Sequence, residues 1–405
     1  MTRIYFRTDA NSDIATGHIM RCLSIARACA QISLQQKKRV QISFLVSDNQ
    51  SRALLSERFE TAEEFAIHCL NSDYRYMEAE VHSLLAYIND NTDDNIALSD
   101  NSALAKPWLF IDSYFATPAY FRMLSADCRI AYLDDLRSFH CPVDLLINYD
   151  TDQDCPCYAK AAHKLLGMQY TPLRTQFQSP VYHVRPKASH VLLSTGGTDP
   201  YGIAEYLLRT IYQFPSIPDK EYAKNDGGFW NLQDISLLQS LQYHIVTSKA
   251  NTRYDNLTAL ALENPHIHIH DNVSHMASLM ASCDLALSAG GTTLAELCAV
   301  GVPTISCLMA DNQRTAVENF SSKGIIPCAG DIRPVQTDGN GRQSFDHAAS
   351  DTSGIQLPSS VIEAVLKFMT YMSQNSSARE KSSHAMRAFL DGCGAQRIVS
   401  ALLTL

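Results

Sequence analysis

Long apolar runs and basic tracts are both missing from this 405-residue chain. No run approaches the roughly 20 apolar residues that a membrane-spanning helix needs. The first strand-like residues pass quickly into a polar loop, so no signal-peptide core is recognisable. The chain has 33 basic and 42 acidic residues, and its formal net charge of −9 argues against binding a nucleic acid through neutralisation of its phosphates. We therefore expect a cytoplasmic protein that binds neither nucleic acid nor a membrane.

Ligand spacings typical of a structural metal site are also scarce. The only close cysteine pair, Cys155-Pro156-Cys157, has one intervening residue, which does not fit the usual zinc pattern. His266, His268 and His270 alternate and would share one face of a strand. Solvent-facing histidines opposite inward-facing isoleucines explain that alternation as well as a metal would. We predict no metal site and no cofactor.

Strand-like and helix-like segments alternate through both halves of the chain. With 46% hydrophobic residues, a chain of this length can fill two cores. Short apolar runs that end in polar residues suit buried parallel strands. The order predicts two doubly wound α/β units: an N-terminal domain over 1–170, a proline-punctuated linker over 171–188 and a C-terminal domain over 189–405, whose last helix could return to the N-terminal domain.

The junction after the first strand carries the most chemical information. Ile4-Tyr5-Phe6 predicts a strand, and apolar residues recur at helical spacing after Gly17-His18. His18 is therefore expected near a helix N-terminus, where free backbone N–H groups and the helix dipole disfavour the imidazolium. A neutral imidazole there could accept a proton. A first-turn histidine bonded to loop carbonyls is the structural alternative.

A second junction has the sequence Ser288-Ala289-Gly290-Gly291-Thr292-Thr293-Leu294-Ala295-Glu296. Paired glycines between a buried strand and a helix let a diphosphate approach the backbone, and hydroxyls can add to the helix N–H groups. Glu296 has two interpretations. It could close a capping box with Thr293, or its carboxylate could accept hydrogen bonds from a ribose.

A similar turn, Ser194-Thr195-Gly196-Gly197-Thr198-Asp199-Pro200, follows the first strand of the second half. Its structural interpretation places Asp199 at a helix N-cap and Pro200 at the first helical position. Three polar stretches, 89–106, 215–231 and 329–354, are interpreted as surface insertions, the third as a disordered or hairpin excursion.

Together these motifs resemble the UDP-2,4-diacetamido-2,4,6-trideoxy-β-L-altropyranose hydrolases of bacterial pseudaminic acid biosynthesis. The resemblance extends over nearly the whole chain, and no single motif carries it. The motifs occur in this order: Arg7-x-Asp9, Gly17-His18, Met20-Arg21-Cys22, Ile111-Asp112-Ser113-Tyr114, Leu133-Asp134-Asp135-Leu136, Leu166-Gly167-x-Gln169-Tyr170, Gly196-Gly197-x-Asp199-Pro200, Ser288-Ala289-Gly290-Gly291-Thr292, Glu296-Leu297-Cys298, Asn312-Gln313 and Asp391-Gly392-x-Gly394-Ala395-x-Arg397.

The resemblance implies a GT-B fold, with two Rossmann-like domains facing across a cleft that holds a UDP-sugar. It implies hydrolysis at the anomeric C–O bond, which releases UDP and a free amino sugar destined for a nonulosonic acid of a surface glycan. The implied roles are His18 as general base oriented by the Gly17 turn, Tyr114 and Asn312 beside the sugar, Glu296 at the ribose, Gly290, Gly291 and Thr292 at the diphosphate, and Gln313 as a further contact.

Three alternatives share parts of this pattern. A GT-B glycosyltransferase with a UDP-amino sugar donor would share the glycine turn and Glu296, but it should also carry an apolar and basic membrane-docking patch, which is not evident. A UDP-sugar 2-epimerase shares the fold, and a non-catalytic nucleotide-sugar-binding protein needs no base. The roles of Arg7 and Arg21, and the carboxylate that orients His18 among Asp9, Asp13, Asp112, Asp134 and Asp135, stay open at this point.

Overall fold

The computed structural model describes residues 2–11, 14, 16–61, 64–91, 106–178, 180, 182–213, 232–333, 335–337, 343–345 and 357–405. The chain divides into two compact units: unit 1 comprises 1–175 and 392–405, and unit 2 comprises 176–391. Each is built around its own parallel sheet.

Unit 1 has a seven-stranded parallel sheet in the order β3-β2-β1-β4-β5-β6-β7. Its strands are β1 (Thr2–Thr8), β2 (Val40–Val46), β3 (Ala66–Cys69), β4 (Trp108–Asp112), β5 (Arg129–Leu133), β6 (Leu145–Asn148) and β7 (His163–Leu166). Its helices are α1 (Gly17–Gln36), α2 (Asn49–Ser56), α3 (Val81–Asp90), α4 (Pro118–Leu124) and the C-terminal α13 (Gly394–Thr404).

Both faces of this sheet are buried, as the uninterrupted apolar runs predict. Phe6 packs on one face with α1 and α13, whereas Tyr5 packs on the other with α3 and α4. Successive strands are added on one side of β1 up to β3 and on its other side from β4 onwards, so the carboxyl ends of the parallel neighbours β1 and β4 form the topological switch point where open α/β sheets bind ligands.

The last helix belongs to unit 1 although the sequence reaches it through unit 2. Ala395, Ile398 and Val399 of α13 join the core cluster that holds α1. A Cβ atom on Gly394 would collide with the carbonyl oxygen of Thr171, so a side chain at that position would push α13 away from the backbone it packs on.

Unit 2 has a six-stranded parallel sheet in the order β10-β9-β8-β11-β12-β13. Its strands are β8 (His190–Ser194), β9 (Gln242–Thr247), β10 (Ile267–Asp271), β11 (Leu285–Ala289), β12 (Thr304–Leu308) and β13 (Cys328–Asp331). Its helices are α5 (Ile203–Gln213), α6 (Leu232–Gln239), α7 (Tyr254–Glu263), α8 (Met276–Ser282), α9 (Thr292–Val300), α10 (Arg314–Ser322), α11 (Ser359–Gln374) and α12 (Ser376–Phe389).

Most of the polar insertion over 89–106, all of that over 215–231 and the greater part of that over 329–354 lie outside the described residues. Within the third, β14 (Val335–Thr337) and β15 (Gln343–Phe345) pair as an antiparallel hairpin. In the described part of the chain, no helix has the length and apolar character needed to cross a bilayer.

Candidate active site

His18 is the second residue of α1, directly after the polar loop that follows β1. The first N–H groups of a helix have no intrahelical acceptor, so the imidazole stands at the positive end of the dipole. The His18 side chain is 7% exposed. A Cβ atom on Gly17 would meet no heavy atom within 4 Å, so the backbone before the imidazole borders open space.

Asp112 is the carboxylate that meets His18. It ends β4, and its backbone is paired in register with Thr8 at the end of β1. The Oδ1 atom of Asp112 lies 2.6 Å from Nδ1 of His18. Burial alone would raise the pKa of the Asp112 carboxyl, but Arg21 and His18 outweigh burial and lower it to about 2. Asp112 is therefore an anion at neutral pH and an acceptor for His18.

Arg21 lies one helical turn after His18 and clamps the same carboxylate. Its Nε is 2.5 Å from Asp112 Oδ2, and its Nη2 is 2.6 Å from Asp112 Oδ1. Nη2 is also 2.8 Å from Oδ2 of Asp135, and Nη1 donates to the Tyr149 hydroxyl at 2.6 Å. The sequence left the role of Arg21 open; in the structure its contacts brace Asp112, Asp135 and Tyr149.

Tyr114 lies over the imidazole, edge to face, with ring centroids 4.4 Å apart. It is 48% exposed, so it covers His18 on one side and meets solvent on the other. Burial, followed by the Asp135 carboxylate, raises the pKa of the Tyr114 hydroxyl. Asp150, after β6, has its pKa raised to about 6 by burial and then by Asp135. These groups give the site a polar rim around the buried imidazole.

Arg7 braces the loop that leads to His18. Its guanidinium is fully buried and donates to both carboxylate oxygens of Glu80, at 2.6 and 2.9 Å. It also binds Asp9 at 2.5 Å, and Asp9 in turn accepts from the backbone N–H of Ser47. Because every charge in this cluster is paired, Arg7 is a structural cation beneath the loop.

The two glycines of the turn between β11 and α9, Gly290 and Gly291, have different surroundings. A Cβ atom on Gly290 would crowd Val317 and would lie 3.0 Å from Cβ of Gln313, whereas one on Gly291 would meet nothing within 4 Å. Gly291 is the N-cap of α9, and Gly291 and Thr292 are exposed. The turn therefore presents open backbone at Gly291 and Thr292, where a helix N-terminus can bind an anion.

Gln313 packs against this turn through its side chain, whereas the neighbouring Asn312 is exposed. The Oε1 atom of Gln313 accepts from the backbone N–H groups of Gly290 and Met309, each at 3.2 Å. The Gly290 N–H is thus directed at a protein acceptor, and Gln313 ties the end of β11 to the end of β12.

The capping-box interpretation of Glu296 is wrong. α9 begins at Thr292 with Gly291 as its N-cap, so Thr293 is inside the helix and cannot cap it. Glu296 is 7% exposed on the second turn of α9.

The N-cap assignment at the other glycine turn is wrong in register. α5 begins at Ile203, three residues after Pro200. Asp199 nevertheless serves the helix start, since its carboxylate accepts from the N–H groups of Ile203 and Ala204 at 3.1 Å.

The histidines of β10 are half-buried instead of facing solvent, because they bond to the neighbouring strand. His270 Nε2 lies 2.9 Å from His244 Nδ1, and His268 Nε2 lies 2.8 Å from Gln242 Oε1. The residues that the structure describes contain no group of three or more His, Cys, Asp or Glu arranged to hold a metal ion. Cys155 and Cys157 form a disulfide.

Sequence reasoning predicted His18 but could not select Asp112 from five carboxylates. The structure brings His18, Asp112, Arg21 and Tyr114 together in unit 1; Asn312 and Gln313 follow β12 in unit 2, after the glycine turn and Glu296. No sequence signal singled out Asp112, because the position of its strand beside β1 follows only from the order of strands in the folded sheet. Tyr149 carried no motif and was missed.

Comparison with known proteins supports the architecture. No protein-family model matches the chain. The spore coat polysaccharide biosynthesis protein SpsG of Bacillus subtilis (strain 168) is 23% identical over 160 residues, which are 39% of this chain and 41% of SpsG. The match thus spans about two fifths of the length of that relative.

Among solved structures, MurG of Acinetobacter baumannii aligns over 100% of both chains with a TM-score of 0.59 and 12% identity. A putative UDP-N-acetylglucosamine 2-epimerase of Listeria monocytogenes aligns over 99% of this chain and 95% of its own, with a TM-score of 0.52 and 11% identity. Arabidopsis thaliana UGT89C1 complexed with UDP covers 99% and 100%, with a TM-score of 0.50 and 12% identity. The chain has the GT-B fold.

Proposed function

We propose that this chain is a GT-B enzyme of polysaccharide biosynthesis that hydrolyses a UDP-linked 2,4-diacetamido-2,4,6-trideoxy sugar at its anomeric C–O bond. The products are UDP and the free sugar, a precursor of pseudaminic or a related nonulosonic acid. The observation that carries the proposal is the His18–Asp112 pair at the start of α1, with Nδ1 of the imidazole 2.6 Å from a buried carboxylate.

In this mechanism His18 is the catalytic base. Asp112 accepts the hydrogen of Nδ1, which leaves the lone pair on Nε2 to take a proton from water. The water oxygen bonds to the anomeric carbon, the bond from that carbon to the β-phosphate oxygen breaks, and its electron pair leaves with UDP. A base of this kind contributes about 10²–10⁴-fold to the rate. Tyr114, half exposed beside the imidazole, borders the sugar.

The departing negative charge needs donors already in place. We assign the diphosphate to the open backbone at Gly291 and Thr292, where the α9 N-terminus favours an anion. Gly290 acts by letting Gln313 pack close, because its N–H faces that side chain. Glu296, on the same helix, is assigned to the ribose hydroxyls, and Asn312 to the sugar.

Two findings about other proteins agree with this assignment. SpsG is described as a polysaccharide biosynthesis protein, and the UGT89C1 structure contains UDP. A buried His–Asp pair is what distinguishes an enzyme from a protein that only binds a nucleotide sugar, since binding needs no base.

The test is to offer the purified protein a panel of UDP-amino sugars and to follow UDP release. We expect release without any acceptor other than water, greatest for the 2,4-diacetamido-2,4,6-trideoxy sugar. His18→Asn should abolish turnover and retain UDP-sugar binding, measured by calorimetry. Release that requires an added sugar or lipid acceptor would indicate a glycosyltransferase, and unchanged turnover in His18→Asn would remove the assigned base.

A further inference from the structure

We propose that Asp135 is a positioning residue that makes the Tyr114 hydroxyl a hydrogen-bond acceptor, and that this hydroxyl binds an acetamido N–H of the sugar. The inference rests on the proposed function, which assigns Tyr114 to the sugar of a UDP-linked diacetamido substrate. It adds the direction of that hydrogen bond, the sugar group that takes part in it and the residue that sets its direction.

Tyr114 both contacts the imidazole and meets solvent. It follows Asp112, the last residue of β4, after one intervening residue. Its ring lies edge to face against His18, with ring centroids 4.4 Å apart. Because Tyr114 is 48% exposed, a ligand group bound beside the imidazole can reach it.

The direction of the hydrogen bond between Tyr114 and Asp135 follows from which of them has a hydrogen to give. The two side chains are hydrogen-bonded to each other. The Asp135 carboxylate is paired with Arg21, whose Nη2 atom lies 2.8 Å from Oδ2, so Asp135 is ionised and can only accept. Burial, followed by the Asp135 carboxylate, raises the pKa of the Tyr114 hydroxyl, which therefore keeps its hydrogen at neutral pH. The hydrogen in this bond belongs to Tyr114.

The remaining bonding capacity of the Tyr114 hydroxyl is that of an acceptor. A tyrosine hydroxyl has one hydrogen and two lone pairs. Once Asp135 has accepted the hydrogen, only lone pairs are left for a ligand, so the hydroxyl can bind a sugar group that donates and repels one that only accepts. The proposed substrate has two acetamido groups, and each has an N–H that donates and cannot accept. An acetamido N–H is therefore the group that matches this hydroxyl.

The fold holds Asp135 in place. The preceding residue, Asp134, accepts from the N–H groups of Leu136 and Arg137 at 3.0 and 3.2 Å and so closes the turn around Asp135. The Tyr158 hydroxyl donates to the Asp134 carboxylate at 2.9 Å. The Asp135 side chain is only 16% exposed, so its carboxylate is in position before substrate arrives.

The experiment is a double-mutant cycle on binding affinity, with Tyr114→Phe, Asp135→Asn and the two together in the full chain. Every protein also carries His18→Asn, which keeps the UDP-sugar intact during calorimetry. Tyr114→Phe removes the hydroxyl and keeps the ring, whereas Asp135→Asn removes the charge and keeps the shape. Tyr149→Phe is the matched control, since it removes a contact of Arg21 Nη1 and leaves Asp135 and Tyr114 unaltered.

The first ligand is the UDP-2,4-diacetamido-2,4,6-trideoxy sugar, and UDP is the control ligand without the sugar. Tyr114→Phe should weaken UDP-sugar binding about tenfold, because a donor of the bound sugar loses its acceptor, and should leave UDP binding unchanged. Asp135→Asn should also weaken UDP-sugar binding, because the hydroxyl can then turn its hydrogen towards the sugar. In Tyr114→Phe, adding Asp135→Asn should have no further effect, since Asp135 acts on the sugar through Tyr114 alone.

The second comparison identifies the sugar group. It uses two analogues of the UDP-sugar, one with hydrogen in place of the C2 acetamido group and one with hydrogen in place of the C4 acetamido group. Tyr114→Phe should weaken the binding of one analogue about tenfold, as for the parent sugar, and should leave the binding of the other unchanged. If Tyr114→Phe weakens both analogues as much as the parent sugar, the hydroxyl binds neither acetamido group and the inference is wrong.

The cycle has further outcomes that overturn the inference. It is wrong if either single variant leaves UDP-sugar affinity unchanged, or if the effect of Asp135→Asn persists in Tyr114→Phe. Tighter binding in Asp135→Asn would mean that the hydroxyl donates to the sugar, and equal weakening in Tyr149→Phe would mean that Arg21 is responsible. If the diacetamido sugar is not bound at all, both proposals fail.

The inference and the proposed function can fail separately. If the affinities follow the expected cycle but the protein with His18 restored hydrolyses no UDP-sugar, the proposed function fails and the sugar contact of Tyr114 stands. If the protein hydrolyses the UDP-sugar but Tyr114→Phe binds it as tightly as before, the proposed function stands and the inference fails.

Discussion

Replacing Asp112 with asparagine removes the negative charge that the His18 imidazole contacts and keeps the shape of the side chain. Asparagine resembles the protonated acid. The loss of unfolding free energy in the variant therefore follows from how strongly the folded protein prefers the ionised form of Asp112. The pKa of Asp112 is lowered from an ordinary 3.8 to about 2, mainly by Arg21. At about 1.4 kcal/mol per pH unit, the variant should lose about 2 kcal/mol of unfolding free energy at neutral pH.

The pH dependence of that loss has a definite sign. Because the folded-state pKa lies below the unfolded one, the contribution of Asp112 is present above about pH 4 and is lost as the pH falls towards 2. The difference in stability between Asp112→Asn and the unaltered protein should therefore be constant near neutrality and shrink in acid. Urea unfolding of both proteins across this range measures it.

Turnover should suffer more than stability. An asparagine amide can present N–H to Nδ1 and stabilise the tautomer with hydrogen on Nε2, and the comparable change in a Ser-His-Asp triad costs about 10⁴-fold. Asp144→Asn is the matched control, because Asp144 caps the N–H of Ile130 at the amino edge of the same sheet, away from His18. A kcat of Asp112→Asn within about threefold of the unaltered protein would refute the assigned role of the pair.

The remaining predictions concern unit 2 and metal dependence. Gly290→Ala should cost about 1–3 kcal/mol in urea unfolding, because its methyl group meets Val317 and Gln313. Gly291→Ala should leave stability unchanged, having open space around its methyl group, and weaken UDP binding in calorimetry; unchanged affinity would contradict the diphosphate assignment. Burial and neighbouring histidines lower the pKa of His244 from 6.5 to about 4, so the unfolded chain takes up a proton first and stability should be lost as the pH falls from about 6.5 to about 4. His244→Gln should remove that part of the acid dependence of urea unfolding. If helix-end donors receive the leaving charge, as proposed, turnover should be the same with and without EDTA. A loss of turnover that Mg²⁺ restores would contradict the proposal.

The parallel architecture was predictable because its central strands are apolar on both faces. Trp108 to Asp112 is such a short apolar run ending in a polar residue, and it forms β4 with all five of its residues buried. β3, β7 and β13 were not identified: each has four residues and lies at a sheet edge, with half-buried or exposed side chains that leave no apolar run. Strand order, which places Asp112 beside Thr8, is a property of tertiary packing that the local pattern does not contain.

The candidate site was predictable to the extent that local backbone determines it. A strand followed by a loop and Gly17-His18 predicts an imidazole at a helix start, and α1 begins at Gly17. The starts of the helices that follow the two glycine turns of unit 2 were harder to predict. Both predicted N-caps, Thr293 and Asp199, have the right residue types, but α9 begins one residue before Thr293 and α5 begins four residues after Asp199. The turn at Gly290 is shaped by the packing of Gly290 against Gln313, a tertiary contact that motif spacing cannot reveal.

The central claim is that His18 directs water to the anomeric carbon of a UDP-sugar. Hydrolysis in water enriched in oxygen-18, followed by mass spectrometry of the released UDP, tests that claim most directly. Attack at carbon breaks the sugar C–O bond, so UDP should carry no label, and His18→Asn should release none above background. Label on the β-phosphate would mean that water attacks phosphorus, and the mechanism drawn from the His18–Asp112 pair would then be wrong.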